Sequence, residues 1–443
     1  MPPTDSTPQR PPSKRPALEG LLLASGGPQA AALFRAAAAL GVRVASASGP
    51  VDDESSAMAA TAVESPDLVE LAARHGCAAV AAPGRGARES AILARTAREG
   101  GLRFVGPTPE ALDEMADLPR LLERIASAGV RVVPHERVTD ASSLRDAAER
   151  LGWPLKLVHE VGASALDEGA PMAEASSIAS AAHAIGSTAI AVPSWPRARR
   201  LEVTTVADAH GNVVGLPERE TSGRTEGGVL LTETPAPALC PQPQRALLRG
   251  SLADAACRVT SELGIRGAIA TVEFVLDDRS NAHVAAVRPG PGETALATEL
   301  LLGISPWELA LRATRGEVVD APPRVVSGHV VMATVWLAPR AEQEQGDPPA
   351  SRMPTRWPRV PPGKVRVEPC GEVGAATADG RRPLVRIAAR GQVRHQAWLL
   401  LDRVLAEVSF GDSVTNVAEL RRALGHEAFR AGRYDVGFFE RLR

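Results

Sequence analysis

The stretch GWPLKLVHEVGASALDEG, residues 152–169, has the outline of a phosphate cradle: an apolar strand bearing Lys156, then a loop holding Gly162 and Gly169. A loop that wraps phosphate needs glycines, because backbone N–H groups must approach the oxygens closely, and it needs a cation to offset their charge. Here the strand ends in Leu157-Val158, and the loop brings His159, Glu160, Asp167 and Glu168. The carboxylates Asp167 and Glu168 would repel a triphosphate at low local dielectric. Lys156 stands two positions before Val158, so the two share a strand face about 6–7 Å apart. A second glycine pair, Gly26-Gly27, reads as a tight turn before a helix, since no GxGxxG is present. The cysteines Cys77, Cys240, Cys257 and Cys370 form no CxxC, which argues against a zinc cluster or disulfide framework and suits a reducing compartment.

The elements that must position these groups are read from periodicity. A chain of 443 residues exceeds one core and predicts two to four packed units. The net charge of −2 gives no electrostatic reason to seek nucleic acid or an anionic membrane, and no apolar run is long enough to span a bilayer. Residues 1–18 are rich in Pro, Ser, Thr and basic side chains and predict a disordered tail without the apolar centre of a secretory signal, so a cytoplasmic location is expected. From LEGLLLASGG onward, apolar strands alternate with helices through LRFVGPT at 102–108, which predicts a parallel, doubly wound sheet. Residues 109–130 predict one helix bent near Pro119. Strands are expected at 131–135, 153–158 and 189–195, a hairpin over 201–220 with HGN at its turn, and a helix over 244–263. Residues 264–278 and 282–290 should pair antiparallel, and 305–317 should be a helix with a Ser cap and Pro at its first position. The Pro-rich run 341–363 reads as a loop or linker.

The order of these segments resembles the biotin carboxylase branch of the ATP-grasp superfamily. The resemblance rests on FVGPTPEALDEMAD, AGVRVVP, LGWPLKL, ADAHGNVVGLPERETS, LGIRGAIATVEFV, ATELLLGISPWELALRATRGE, KVRVEP and TNVAELRRAL, in unbroken order from about residue 20 to 443. It implies an α/β and α+β multidomain fold: a Rossmann-like N-terminal domain over 19–130, an ATP-grasp lid over 131–205, an ATP-grasp domain over 206–324 and a biotin carboxylase C-terminal domain over 325–443. It also implies MgATP and bicarbonate as co-substrates for carboxylating biotin on a carrier protein. No Ala-Met-Lys-Met segment occurs, so the carrier is expected on a separate chain.

Position by position, the resemblance places apolar residues where that chemistry needs charge. The family's phosphate lysines fall on Leu118, Val158 and Val229, and its adenine-contacting Glu-Lys pair on Val192-Pro193. Glu202 and Arg219 match the family and Gly162 is kept in its glycine flap, while Lys156, two residues before Val158, is a candidate substitute cation, so Lys156, Gly162 and Glu202 are the candidate ATP contacts. Of the magnesium ligands Glu273 is kept, while its partners become Ala286 and Arg288. One carboxylate beside a guanidinium does not hold Mg²⁺, so Glu273 is expected to pair with Arg288. The bicarbonate base falls on Thr294 and its arginine on Gly290, with Glu293 and Glu299 nearby. Arg366 matches the arginine that steadies bicarbonate and biotin, and is expected to pair with Glu368 or another carboxylate of its sheet. The expectation is an inactive scaffold or regulatory subunit with no cofactor, whose partner is a biotin carboxylase, a biotin carrier or carboxyltransferase subunit, or a second copy. The first alternative is an active ATP-dependent biotin carboxylase using Lys156, Glu273, Glu293 and Arg366. The second is a metabolite-binding sensor.

Overall fold

In the computed structural model, the described residues are 18–159, 171–172, 189–225, 227–239, 243–320, 326–338, 355–370, 382–411 and 413–442. Gly162, Asp167, Glu168, Gly169 and Cys240, nearly all of the expected tail and most of 341–363 lie outside them.

The first sheet consists of β1 (Gly20–Leu23), β2 (Arg43–Ser46), β3 (Gly49–Pro50), β4 (Ala79–Ala81) and β5 (Arg103–Phe104), in the order β3-β2-β1-β4-β5. All its pairings are parallel except β2 with β3. The run GLLL of β1 is buried throughout, as a strand covered on both faces requires. The helix Pro28–Ala39 starts on Gly27, whose φ of 101° suits glycine and whose successor proline fits the first helical turn. The single bent helix expected over 109–130 is instead two, Pro109–Ala116 and Leu118–Ser127. Asp117 leaves helical geometry between them, and its carboxylate accepts the Arg120 N–H at 3.1 Å. Pro119 therefore sits in the first turn of the second helix, where its missing N–H costs nothing.

The second sheet is antiparallel, with β6 (Glu136–Val138), β7 (Leu155–His159), β8 (Pro171–Met172) and β9 (Ala189–Pro193) in the order β6-β9-β7-β8. The strand expected at 131–135 begins later: Val132 makes only an isolated bridge to Val284, and Pro134 cannot donate to a ladder. Asp140 and Ser143 close a capping box on the helix Ala141–Leu151. That helix packs Leu144 and Ala147 against Leu155, Leu157, Ala189 and Ala191, while Val158, Ile190 and Val192 join the main core from the other face.

The third sheet is nine-stranded: β10 (Arg199–Ala207), β11 (Val213–Gly215), β12 (Arg219–Thr225), β13 (Gly228–Thr234), β14 (Ala268–Leu276), β15 (Ala282–Pro289), β16 (His329–Leu337), β17 (Val365–Pro369) and β18 (Arg382–Gly391). Its path is β15-β14-β10-β12-β13-β16-β18-β17, with β11 hairpinned onto β10. Because β13 pairs with β16, the segments expected as separate units on either side of 324 share one sheet. β10 also enters this sheet at Arg199, ahead of the lid boundary expected at 205. The helix Pro306–Arg315 has Pro at its start, but Ser305 at the N-cap makes no side-chain capping bond. Among the described residues, no helix is long and apolar enough to cross a membrane.

Candidate functional site

Strand register assembles a lateral row across four strands, charged on three of them. Arg219 of β12 pairs with Glu202 of β10, Glu202 with Glu273 of β14, and Glu273 with Ala286 of β15. Directly paired residues share a sheet face, so the two carboxylates stand side by side. Each is held by a guanidinium. Arg219, fully buried, donates from Nη2 to Glu202 Oε2 at 3.0 Å, to the Pro291 carbonyl at 3.0 Å, and from Nη1 to Thr298 Oγ1 at 3.0 Å. Thr294 Oγ1 donates to the same Glu202 oxygen at 2.6 Å. Burial opposes the Glu202 charge, but Arg219, Arg288 and the Thr294 hydroxyl outweigh it and hold the carboxyl below its ordinary range. Arg288, two residues beyond Ala286 on the same face of β15, forms a close ion pair with Glu273. The expected pair is therefore in place.

Next to Glu273, the facing position supplies a methyl group and the next position on that face a cation, so the donor set does not fit Mg²⁺. Among the described residues no group of three or more His, Cys, Asp or Glu side chains is arranged to hold a metal ion. The loop after β15 crosses this row closely. Gly292 has φ +78°, and a Cβ there would lie 3.6 Å from Arg219 Nη2.

Arg366 on β17 is paired too, though not as expected. Its partner is Glu299, on the helix Ala295–Leu302, at 2.6 Å, rather than Glu368 or any carboxylate of its own sheet. Glu299 lies on a helix and not on the sheet, so the pairing joins the two elements. Glu368 is engaged by Arg386 at 3.3 Å and Arg35 at 3.6 Å, and Arg35 lies 3.8 Å from Glu299. Burial pushes Glu368 above the usual carboxylate range despite both guanidiniums. Arg386 reaches on to Glu293 at 2.9 Å, and Glu293 is itself 70% exposed. Arg366, Glu299, Arg35, Glu368, Arg386 and Glu293 thus form one chain of alternating sign. Sequence reasoning named Arg366, Glu299, Glu368 and Glu293 and missed the two guanidiniums that link them, Arg35 and Arg386, because these come from distant segments with no shared periodicity.

Lys156 does share a face with Val158, yet the two lie in different surroundings. Val158 is fully buried in the main core, whereas Lys156 borders a cavity of about 360 Å³ together with Arg200, Arg224 and Arg441. The β14 residue lining that cavity is Val275, one same-face step from Glu273, which does not line it. Arg200 pairs with Val275 one same-face step along from the Glu202–Glu273 pair, so alternation along β10 was the signal that could have found it.

Comparison with known proteins agrees with this architecture. Residues 119–286 match the family "Carbamoyl-phosphate synthase L chain, ATP binding domain". The chain is 28% identical over 399 residues to the methylcrotonoyl-CoA carboxylase subunit alpha of Oryza sativa, covering 85% of this chain and 52% of that protein. It is 25% identical over 386 residues to a biotin carboxylase of Halalkalibacterium halodurans, covering 84% and 83%. It spans between 52% and 62% of the length of the plant methylcrotonoyl-CoA carboxylase alpha subunits it matches. In structure it is similar to the biotin carboxylase of Campylobacter jejuni, with TM-score 0.78, 17% identity and coverage of 96% of this chain and 99% of that one. The biotin carboxylase domain of the Hydrogenobacter thermophilus 2-oxoglutarate carboxylase gives the same TM-score of 0.78 over 96% and 97%. The match over residues 119–286 thus lies inside an end-to-end likeness of fold: the chain has the fold of the biotin carboxylase domains and is similar in sequence to biotin carboxylases and methylcrotonoyl-CoA carboxylase alpha subunits.

Proposed function

We propose that this chain drives no ATP-dependent carboxylation and serves as a scaffold or regulatory subunit of a biotin-dependent acyl-CoA carboxylase system. The observation that carries this reading is the Arg288–Glu273 ion pair, which neutralises the surviving magnesium-ligand position from within the protein. Two further pairs point the same way: Glu202 with Arg219, and Arg366 with Glu299. Phosphoryl transfer needs unspent cations around phosphate and unspent carboxylates around a metal. Here both sets are consumed by one another. The relatives named as alpha subunits belong to assemblies, which supports placing this chain beside other subunits, a biotin carrier, a carboxyltransferase, an active biotin carboxylase or a second copy.

The test is calorimetric titration with MgATP, followed by phosphate release with bicarbonate and free biotin. The expected result is no saturable heat and no bicarbonate-dependent release. Submillimolar binding with bicarbonate-dependent turnover would overturn the proposal in favour of an active carboxylase. A second reading, a metabolite-binding sensor, is favoured by the cavity beside Lys156, whose volume falls in the range of small-molecule sites.

A further inference from the structure

The four-stranded sheet is reached by two passages of chain. Residues 131–135 lead into β6 from the helix Leu118–Ser127, and residues 194–198 lead out from β9 to β10. His283 of β15 meets both passages. Its Nδ1 lies 3.1 Å from the Val132 carbonyl on the entry passage. On the exit passage the Trp195 ring lies against the imidazole, with centroids 5.0 Å apart and planes at 39°. The other ring nitrogen, Nε2, lies 3.2 Å from Asp277 Oδ2 in the turn between β14 and β15. The His283 side chain is only 10% exposed, so it depends on these partners rather than on water.

Both hydrogen-bond partners of the ring are acceptors. A carbonyl has no proton to give, and Asp277 is held as a carboxylate. Burial opposes its charge, but the side chain and N–H of Asn281, the His283 ring and the Arg279 N–H outweigh burial and keep the carboxyl below its ordinary range. A neutral imidazole has one N–H and one lone pair, so it satisfies one partner and turns a lone pair on the other. The imidazolium donates to both, and it adds cation attraction to the Trp195 ring. A lone pair facing a carboxylate costs more than one facing a carbonyl, so the neutral ring keeps its proton on Nε2 and gives up the Val132 bond.

Among the described residues, Asp277 is the one titratable group within hydrogen-bond reach of the ring. The adjoining turn carries Asp278 and Arg279, the entry passage Arg131 and His135, and the exit passage Arg197. Across β14, Arg200 stands beside Val275, which itself pairs with His283. Beyond Trp195, the cavity wall carries Lys156, Arg224, Glu440 and Arg441. The two helices packed on β15 have their charges engaged elsewhere: Glu114 with Arg120 and Arg124, Asp113 with Arg95, Glu110 with Arg98, and Glu123 with Arg137.

We propose that His283 is a proton-operated clasp on the four-stranded sheet: its imidazolium ties both passages to the nine-stranded sheet, and loss of the proton releases the entry passage. The direction is fixed by the acceptors, with tight docking on the acid side and loosening as pH rises. An imidazole changes charge between about pH 5 and 8, which puts the clasp in the range a cell can reach. The entry passage is otherwise held to β15 by two backbone bonds, from the Val133 N–H to the Val284 carbonyl and from the Val284 N–H to the Arg131 carbonyl, each at 2.9 Å. These two amides therefore report on the clasp.

The test is amide hydrogen exchange of the full chain from about pH 5.5 to 8, with each rate divided by that of an unstructured chain at the same pH. The expected result is that protection of Val133 and Val284 falls by about tenfold or more across this range, while protection of Val331 and Ala333 on β16 stays level. His283→Gln, which cannot titrate, should make the Val133 and Val284 profiles flat. Asp277→Asn removes the anion that favours the imidazolium and should move the fall to lower pH. The wild-type profile decides even if a variant fails to fold. Level protection of Val133 and Val284 in the wild type overturns the clasp, as does an equal fall on β16. A fall that persists in His283→Gln, or stays in place in Asp277→Asn, also overturns it. Nucleotide and bicarbonate are absent throughout, so the clasp and the proposed function stand or fall separately.

Discussion

At Glu273 a carboxylate with 7% side-chain exposure is paired with a guanidinium that is 33% exposed. Removing one partner of such a pair leaves the other buried without compensation, a larger loss than the pair itself is worth. Arg288→Ala is accordingly expected to destabilise the chain by about 2–3 kcal/mol, at the low end for buried pairs because Arg288 is part-exposed. The double change Glu273→Leu with Arg288→Met should recover most of that loss, and urea unfolding of both variants measures the difference. If Arg288→Ala costs nothing, the pair is not what holds this position. That ion pair was legible in the sequence because both residues lie on neighbouring segments of one expected hairpin. The Arg366–Glu299 contact was not, since β17 and the helix Ala295–Leu302 are brought together only by the long β13–β16–β18–β17 path. Alternation within a strand says which face a side chain takes, and it is silent on what a distant helix places opposite.

The elements themselves were largely readable, and where they differ a local cause is visible. Strong apolar periodicity located the helices and the β14–β15 hairpin, whereas Asp117 and Pro134 broke a helix and delayed a strand through capping and a missing donor. The join between β13 and the C-terminal helices is built on Glu233, which no motif announced. Its fully buried carboxylate accepts Arg394 Nε at 2.7 Å, Arg394 Nη2 at 2.8 Å and the Tyr434 hydroxyl at 2.9 Å, with His329 Nε2 also at 2.9 Å. Arg394 also donates to the carbonyls of Phe429 at 2.6 Å and Arg430 at 2.7 Å, tying down the chain before Tyr434. Burial pushes Glu233 up, but His329 and Arg394 prevail and lower its pKa from 4.5 to about 2. A depressed carboxyl contributes stability that is complete above its unfolded pKa and disappears as pH falls through the folded one. Wild type should therefore exceed Glu233→Gln by a few kcal/mol near pH 6, and the gap should close between about pH 4.5 and 2. Denaturant midpoints of both proteins across that range check it; a gap constant with pH would mean the carboxylate charge plays no part.

For the whole molecule, the consequence of a single nine-stranded sheet is that the C-terminal part is structural cover for the rest. β13 has β12 on one side and β16 on the other, with Leu231, Thr232, Glu233 and Thr234 in register with Ala333, Met332, Val331 and Val330. A chain cut at Asp320, beside the boundary expected from the resemblance, loses β16 and exposes the β13 edge together with Leu230 and Leu231, now 2% and 0% exposed. It also strips Glu233 of His329, Arg394 and Tyr434 at once, leaving a carboxylate that had been neutralised on every side. An unpaired apolar edge is a template for association between chains, and a buried-then-bared charge weakens the strand that carries it. The expected outcome is that a fragment ending at Asp320 elutes as aggregate in gel filtration and shows no cooperative melt, while the full chain melts cooperatively. A monomeric fragment with a sharp transition would show that the β13–β16 seam is an optional contact, and that the part before Asp320 and its C-terminal cover fold independently.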